Sequence, residues 1–303
     1  FICVLRPETM YGGPLIQKIA AQRYSQQHTD LWLVPLSPVE TEALIDNLLQ
    51  AGGMPPSLKT RILNHAEGNP FYVEEIVRSL MDSGAVVQHP RTGHWQVTHD
   101  VIEIAIPPTL YGVLMARIDR LPASAKRVLQ MASVIGRIFR YRVLQAIAPK
   151  QHSLDRLLGL LQREGLIHAR AGTPELEYIF KHHLIKEAAY NSLLKREQQT
   201  LHRRVARVLE QVTPGQDEQQ IGLLAYHWGQ AERPQKAITY LMRAGKQAAA
   251  QFANTEAVNY YSRALALLPE NTNQHYKALS VSYTHLRAHE TVLDLVCRLL
   301  LEK

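Results

Sequence analysis

Cysteine is nearly absent: the 303 residues hold two, Cys3 and Cys297. A disulfide framework and a CxxC metal site are thereby excluded, a pattern that fits a reducing cytoplasm. No run of about 18 apolar residues occurs, so no segment is fit to span a bilayer as a helix. The N-terminus lacks the basic, apolar and small-residue zones of a secretory signal. It also lacks Met, and residues 1–5 (FICVL) read as a strand already under way, which predicts a longer polypeptide upstream. There is no GxxxxGK(S/T) loop and no Asp-bearing strand to hold Mg²⁺ beside one. A P-loop nucleotide hydrolase within this stretch is thereby excluded, and no catalytic residue is nominated. The 14 histidines come without HExxH or paired-Cys context, so no metal site is expected.

What is present is a chain able to build cores. Hydrophobic residues make up 46% and charged residues 20%, and the length suits about two domains, or one domain plus a repeat array. The net charge is +7, which admits nucleic acid or an anionic membrane as partner. Its densest basic stretch, residues 195–207 (KREQQTLHRRVAR), lies on a predicted helix whose Leu194, Leu201, Val205 and Leu209 share one side. A solvated face of an amphipathic helix is the better reading.

Along the chain, residues 1–5 and LWLVPL at 31–36 read as two strands around a helix near 14–24, the edge of a parallel α/β sheet. Ser37-Pro38-Val39-Glu40 is a capping box with Pro at the first helical position. Helices are predicted over about 38–50, 57–67 and 71–82, with Gly52-Gly53, Gly68 and Gly84 as stops. Residues 85–99 read as a hairpin turning at Pro90-Arg91-Thr92-Gly93. After Pro107-Pro108 a helix covers 109–120. Residues 123–135, 141–147 and 153–165 give three more, the last capped by Ser153. A hairpin over 166–180 follows, so the order is that of a winged helix.

Beyond about 184 the pattern is helical, with a boundary at Pro214-Gly215. Ala237, Tyr240, Arg243 and Ala244 recur twenty positions on as Ala257, Tyr260, Arg263 and Ala264. Ala257, Tyr261, Ala264 and Pro269 have the spacing of the second helix of a tetratricopeptide repeat, in which small residues let helices approach and Pro ends the second. Residues 281–303 break this pattern and resemble translated adapter sequence from short-read assembly. An ordinary helical tail is the alternative. Their charges cancel, and no function is drawn from them.

Three segments together resemble one family. Residues 68–75 (GNPFYVEE) are similar to the GNP-(F/L)-(F/Y)-(V/L)-EE signature of bacterial STAND signalling ATPases. Residues 106–110 (IPPTL) and 116–122 (ARIDRLP) resemble its approach to the winged helix. Residues 180–190 (FKHHLIKEAAY) are similar to its F-x-H-x-L-I-(R/K)-E-A-A-Y signature. The resemblance covers roughly residues 1–268. It implies a mainly α fold with a small α/β remnant: the end of a P-loop NTPase sheet (1–36), a helical lid subdomain with hairpin (37–121), a winged-helix domain (122–193), and a helical linker with TPR-like repeats (194–280). It also implies an ATP-driven switch, with ATP or ADP held between a P-loop domain and the winged-helix lid and Mg²⁺ supplied by the upstream part. The repeats would sense a protein partner. In bacteria this module is fused to adenylate/guanylate cyclases, Ser/Thr kinases or LuxR-type regulators, and the stretch from Arg6 to Tyr190 leans towards the cyclase-associated branch.

The resemblance nominates four nucleotide-binding residues. Pro70, with Asn69 beside it, would pack on adenine; helix punctuation explains the same residues. His182 would reach the β-phosphate, where an imidazole N–H and a helix N-terminus both favour an anion; the plainer role is a backbone-bonded structural histidine. His183 occupies a position the family keeps small or acidic. Arg6, at a strand's carboxyl end, would reach the γ-phosphate, or is a surface residue opening a loop. Glu74 and Glu75 are adjacent on a helix and do not face each other, which argues against two-carboxylate catalysis. Two rivals remain: a TPR-type interaction scaffold and a winged-helix DNA-binding regulator. The second is disfavoured because the helix over 153–164 (SLDRLLGLLQRE) spreads Leu154, Leu157, Leu158, Leu160 and Leu161 around most of its circumference.

Overall fold

The computed structural model describes residues 13–24, 27, 29–49, 54–89, 95–98, 106–148, 153–170, 175–212 and 218–267. The strand expected at residues 1–5, Arg6 and the tail at 281–303 lie outside these. The architecture is mainly α-helical with a few short antiparallel strands. It divides into two compact units, Phe1–Ile104 and Ala105–Lys303, each treated by itself. No helix among the described residues is long and apolar enough to cross a membrane.

The first unit contains α1 (Gly13–Arg23), α2 (Pro38–Leu48), α3 (Pro56–Ala66), α4 (Pro70–Asp82) and a hairpin of β1 (Val86–Gln88) with β2 (Trp95–Val97). The capping box at α2 forms as expected. Ser37 Oγ accepts the Glu40 backbone N–H at 3.3 Å, and Glu40 Oε2 accepts the Ser37 N–H at 2.8 Å. The bonds from Ser37 hold the Glu40 carboxyl below its ordinary range. Ile45, Leu58, Ile62, Val73 and Ile76 turn inward to form the core of α2, α3 and α4, as their helical spacing dictates. The hairpin pairs Val86 with Val97 and Gln88 with Trp95.

Residues 31–36 depart from the expected strand. They carry no regular secondary structure, and Leu31 and Leu33 are 86% and 95% exposed. Apolar character suits a strand, but a strand exists only beside another, and none lies there among the described residues.

The second unit opens with α5 (Leu110–Arg120), so the boundary falls earlier than the expected 121. The reason is packing: α5 lies against α9 (His183–Asn191), and buried Arg117 sends Nη2 to the Glu164 carbonyl at 2.6 Å, at the end of α8 (Leu154–Arg163). Between them come α6 (Ala123–Ile135), β3 (Ile138–Arg140), α7 (Tyr141–Ile147), α8, β4 (Ile167–Arg170) and β5 (Glu177–Phe180). The sheet runs β3-β5-β4, antiparallel throughout. Phe139 and Phe180, both fully buried, meet at 5.7 Å and anchor the sheet to the helices. Ser153 precedes α8 but makes no side-chain cap, contrary to expectation.

Four helices follow among the described residues: α10 (Lys195–Val212), α11 (Glu218–Gln230), α12 (Pro234–Ala250) and α13 (Asn254–Ala266). The twenty-residue period seen in α12 and α13 extends back to α11. Ile221, Leu224, Ala225 and Trp228 are buried at the register of Leu241, Ala244, Gly245 and Ala248, and Tyr261 and Ala264 follow on α13. The turns repeat too. Glu232 and Phe252 both take left-handed backbone (φ 51 and 60). Arg233 N donates to Trp228 O at 3.1 Å, and Ala253 N to Ala248 O at 2.9 Å, the six-to-one bond of a Schellman cap.

Glycine permits the closest helix approach. A Cβ on Gly245 would meet the Tyr261 ring edge at 2.7, 2.9 and 3.0 Å, whereas one on Gly229 would meet nothing within 4 Å. Alanine gains about 1 kcal/mol over glycine in a helix, while overpacking costs about 1–3 kcal/mol. Gly229→Ala is therefore expected to raise the urea midpoint and Gly245→Ala to lower it. Equal shifts would contradict this packing.

Candidate functional site

In the first unit the GNP segment is a corner folded onto the end of the 31–36 run. Glu67 and Gly68 both take left-handed backbone (φ 47 and 73), which stops α3 and reverses the chain. The Leu36 N–H donates to the Gly68 carbonyl at 2.8 Å. A Cβ at Gly68 would lie 2.4 Å from the Leu36 carbonyl oxygen, so only glycine fits. Asn69 Oδ1 accepts the N–H groups of Phe71 (3.1 Å) and Tyr72 (3.3 Å), and its acceptor is thus committed to capping α4. Pro70 is the first residue of that helix and is exposed. Because Leu36 and Gly68 are bonded, α2 and α4 begin side by side, each with its N-terminal end at this corner, where helix dipoles favour negative charge.

Behind the corner the two glutamates separate as expected: Glu75 is fully buried and Glu74 half-buried. Two-carboxylate chemistry has no geometry here.

In the second unit His182 is the N-cap of α9. Its Nδ1 accepts the Leu184 N–H at 3.3 Å. That bond places the neutral ring's proton on Nε2, an assignment from the hydrogen-bond network. The His183 ring packs against it at 4.4 Å. The structural role thus takes a definite form, and it orients a donor nitrogen at a helix N-terminus. Pro70 and Asn69 belong to the first unit and His182 to the second, and Arg6 lies outside the described residues. On α8, Leu154, Leu158 and Leu161 are buried and Arg156 and Arg163 exposed. The helix spends its apolar face on its own unit.

Sequence reasoning missed two polar centres in the second unit. One is Glu210, bonded to Trp228, Lys236 and Tyr240. The other is a buried contact between His202 and His227. Neither sits in a motif; helix spacing puts each residue on an inner face, but the partner is set by how the helices stack.

Comparison with known proteins gives the following. Residues 37–87 match the model of a domain of unknown function, DUF8739. An uncharacterized protein of Rhizobium meliloti, R02095, is 28% identical over 157 residues, covering 51% of this chain and 15% of the relative. The peroxide stress-activated histidine kinase mak3 of Schizosaccharomyces pombe is 22% identical over 218 residues, 67% of this chain and 9% of the kinase. The chain thus spans only a small part of the length of both curated relatives. Among solved structures, a Signal Transduction ATPase with Numerous Domains (STAND) protein with a tetratricopeptide repeat sensor, PH0952 of Pyrococcus horikoshii, is similar at a TM-score of 0.38. It is 13% identical, covering 83% of this chain and 44% of that one.

Proposed function

We propose that this chain is the regulatory part of a STAND-type signalling ATPase of the cytoplasm: a helical subdomain, a winged-helix lid and the start of a TPR-like sensor. In this reading ATP or ADP is held on the adenine side by Pro70 and on the phosphate side by His182. The P-loop and Mg²⁺ come from an upstream part, where Arg6 would also face the γ-phosphate. The order α6-β3-α7-α8-β4-β5 supports the winged helix, and the twenty-residue register supports the repeats as a surface for a protein partner. Control of a fused cyclase, kinase or transcriptional output belongs to the same proposal.

The observation that carries the reading is the cap at His182. Its Nδ1 accepts the Leu184 N–H, which sets the ring's donor nitrogen at the N-terminus of α9, where an anion is favoured. The chemistry at each residue is simple. Pro70 offers a rigid apolar ring, and His182 offers Nε2–H to a phosphate oxygen while Nδ1 keeps α9 capped.

The test uses the parent protein with its upstream part. His182→Asn retains a cap acceptor but removes the imidazole donor. A lost hydrogen bond to a charged group costs about 1.5–3 kcal/mol, so ADP affinity should fall roughly 10-fold or more. Unchanged ADP affinity in the variant rules out the contact.

A further inference from the structure

The junction of α9, α10 and α11 encloses a chain of three ring side chains. His202 on α10 and His227 on α11 are both fully buried, with their Nδ1 atoms 2.8 Å apart. His202 Nε2 lies 3.0 Å from the Tyr190 hydroxyl on α9. The Tyr226 ring stands edge-on to both imidazoles. His227 Nε2 is buried without a hydrogen-bond partner.

The geometry fixes the protons. Two Nδ1 atoms at this distance share one proton. If His227 carried its proton on Nε2, a donor would be buried with nothing to bind, which costs more than an idle lone pair. So His227 carries the proton on Nδ1 and donates it to His202 Nδ1. His202 is then protonated on Nε2 and donates to the Tyr190 oxygen. A second proton has no good place. On His202 Nδ1 it would face another N–H at contact distance. On His227 Nε2 it would make a buried cation without a partner.

We infer that the His202–His227 pair is a proton-operated latch: neutral, it clamps α11 onto α10; charged, it forces them apart and frees α11 and the helices after it from α10. Among the described residues, the surrounding groups give a charged pair no relief. From α9 come Lys186, itself a cation that opposes charge on His202, and the neutral Tyr190 phenol; from α11 comes Tyr226. Elsewhere on the faces of α10, α6 sends Arg127 to Glu197, and α12 sends Lys236 and Tyr240 to Glu210. On α7, Tyr141 and Arg142 are engaged with Asp155 and Glu175. Burial, then Lys186, pushes His202 down to about 4. Burial, then His202, pushes His227 down to about 3. Both folded values lie below the ordinary 6.5, so the unfolded or opened state binds more protons. The clamp is complete above pH 6.5 and is lost as pH falls from there towards about 4.

The test is an acid titration of the full chain from about pH 7.5 to about pH 4, read by Trp228 fluorescence and histidine ¹⁵N NMR. The closed-to-open equilibrium constant should fall about tenfold per pH unit for each proton taken up. In His202→Gln and in His227→Phe the steepness of this response should fall by about half, and in the double variant it should vanish. At neutral pH the wild-type spectrum should show His227 protonated on Nδ1, a readout independent of whether the variants fold. The same acid midpoint in wild type and variants, no transition in the wild type, or His227 protonated on Nε2 would each overturn the latch.

Discussion

Gly68→Ala should destabilise the first unit by roughly 2–5 kcal/mol, the sum of a left-handed backbone cost of about 1–2 kcal/mol and an overpacking cost of about 1–3 kcal/mol. The second term has no soft escape, because the new Cβ would meet the Leu36 carbonyl oxygen at 2.4 Å and the Leu36 nitrogen at 2.9 Å. Backbone must therefore move, and the 2.8 Å bond from Leu36 N to Gly68 O moves with it. Amide exchange at Leu36 should accelerate in step with the lowered urea midpoint. Asn69→Ala serves as a comparison: it removes only the cap of α4, so about 1 kcal/mol is expected and Leu36 should keep its protection. Equal protection of Leu36 in wild type and Gly68→Ala would show that the corner is not held as described.

The second large effect is expected at Glu210. Its Oε1 accepts from Trp228 Nε1 at 3.0 Å, from the Tyr240 hydroxyl at 2.9 Å and from Lys236 Nζ at 3.1 Å. One carboxylate thus ties α10 to α11 and α12. Lys236 also sits 4.0 Å above the Trp228 ring. The Trp228 side chain is 2% exposed, so Glu210→Ala strands an indole N–H away from water, at about 1–3 kcal/mol. Losing the Tyr240 bond adds about 1 kcal/mol, and the exposed Lys236 pair adds little. The total is about 3 kcal/mol, read as an earlier thermal transition with a shifted Trp228 emission. Glu210→Gln keeps one carbonyl oxygen for the indole and should lose roughly half of that. If Ala and Gln behave alike, the stranded indole is not the cause.

Features with local causes were readable from sequence. Ser37, Pro38 and Glu40 cap α2 within one turn, and β1 pairs with β2 within the segment read as a hairpin, while its turn at 90–93 lies outside the described residues. The Ala and Tyr positions of α12 and α13 likewise announced their buried faces. Longer-range features were not readable. β3 spans only Ile138–Arg140 and exists because Ile138 pairs with Ile179, far along the chain. α11 shares the repeat register but presents Ile221, Leu224 and Trp228 where its successors use other residues, so identity hid the period. Conversely, residues 31–36 look like a strand because apolarity marks a tendency to be covered, and the cover is supplied by neighbours.

The site residues divide in the same way. Asn69 and His182 were nominated by motif, and the structure gives each a capping bond that local sequence already allowed. For His182 the two roles combine, since capping through Nδ1 leaves Nε2 as the donor nitrogen. The His202–His227 contact had no sequence signal: the two lie on different helices, and only packing sets their rings together. α9 links these themes, starting at His182 and ending near Tyr190, so the proposed nucleotide contact and the proposed latch sit at opposite ends of one helix.

Pro70 is proposed for the adenine side of a nucleotide and His182 for its phosphate side. The direct measurement is the calorimetric ADP affinity of the parent protein with Pro70→Ala and His182→Asn made singly. Each should weaken ADP binding, His182→Asn by roughly 10-fold or more. Unchanged affinity in either variant would contradict that residue's place in the nucleotide site.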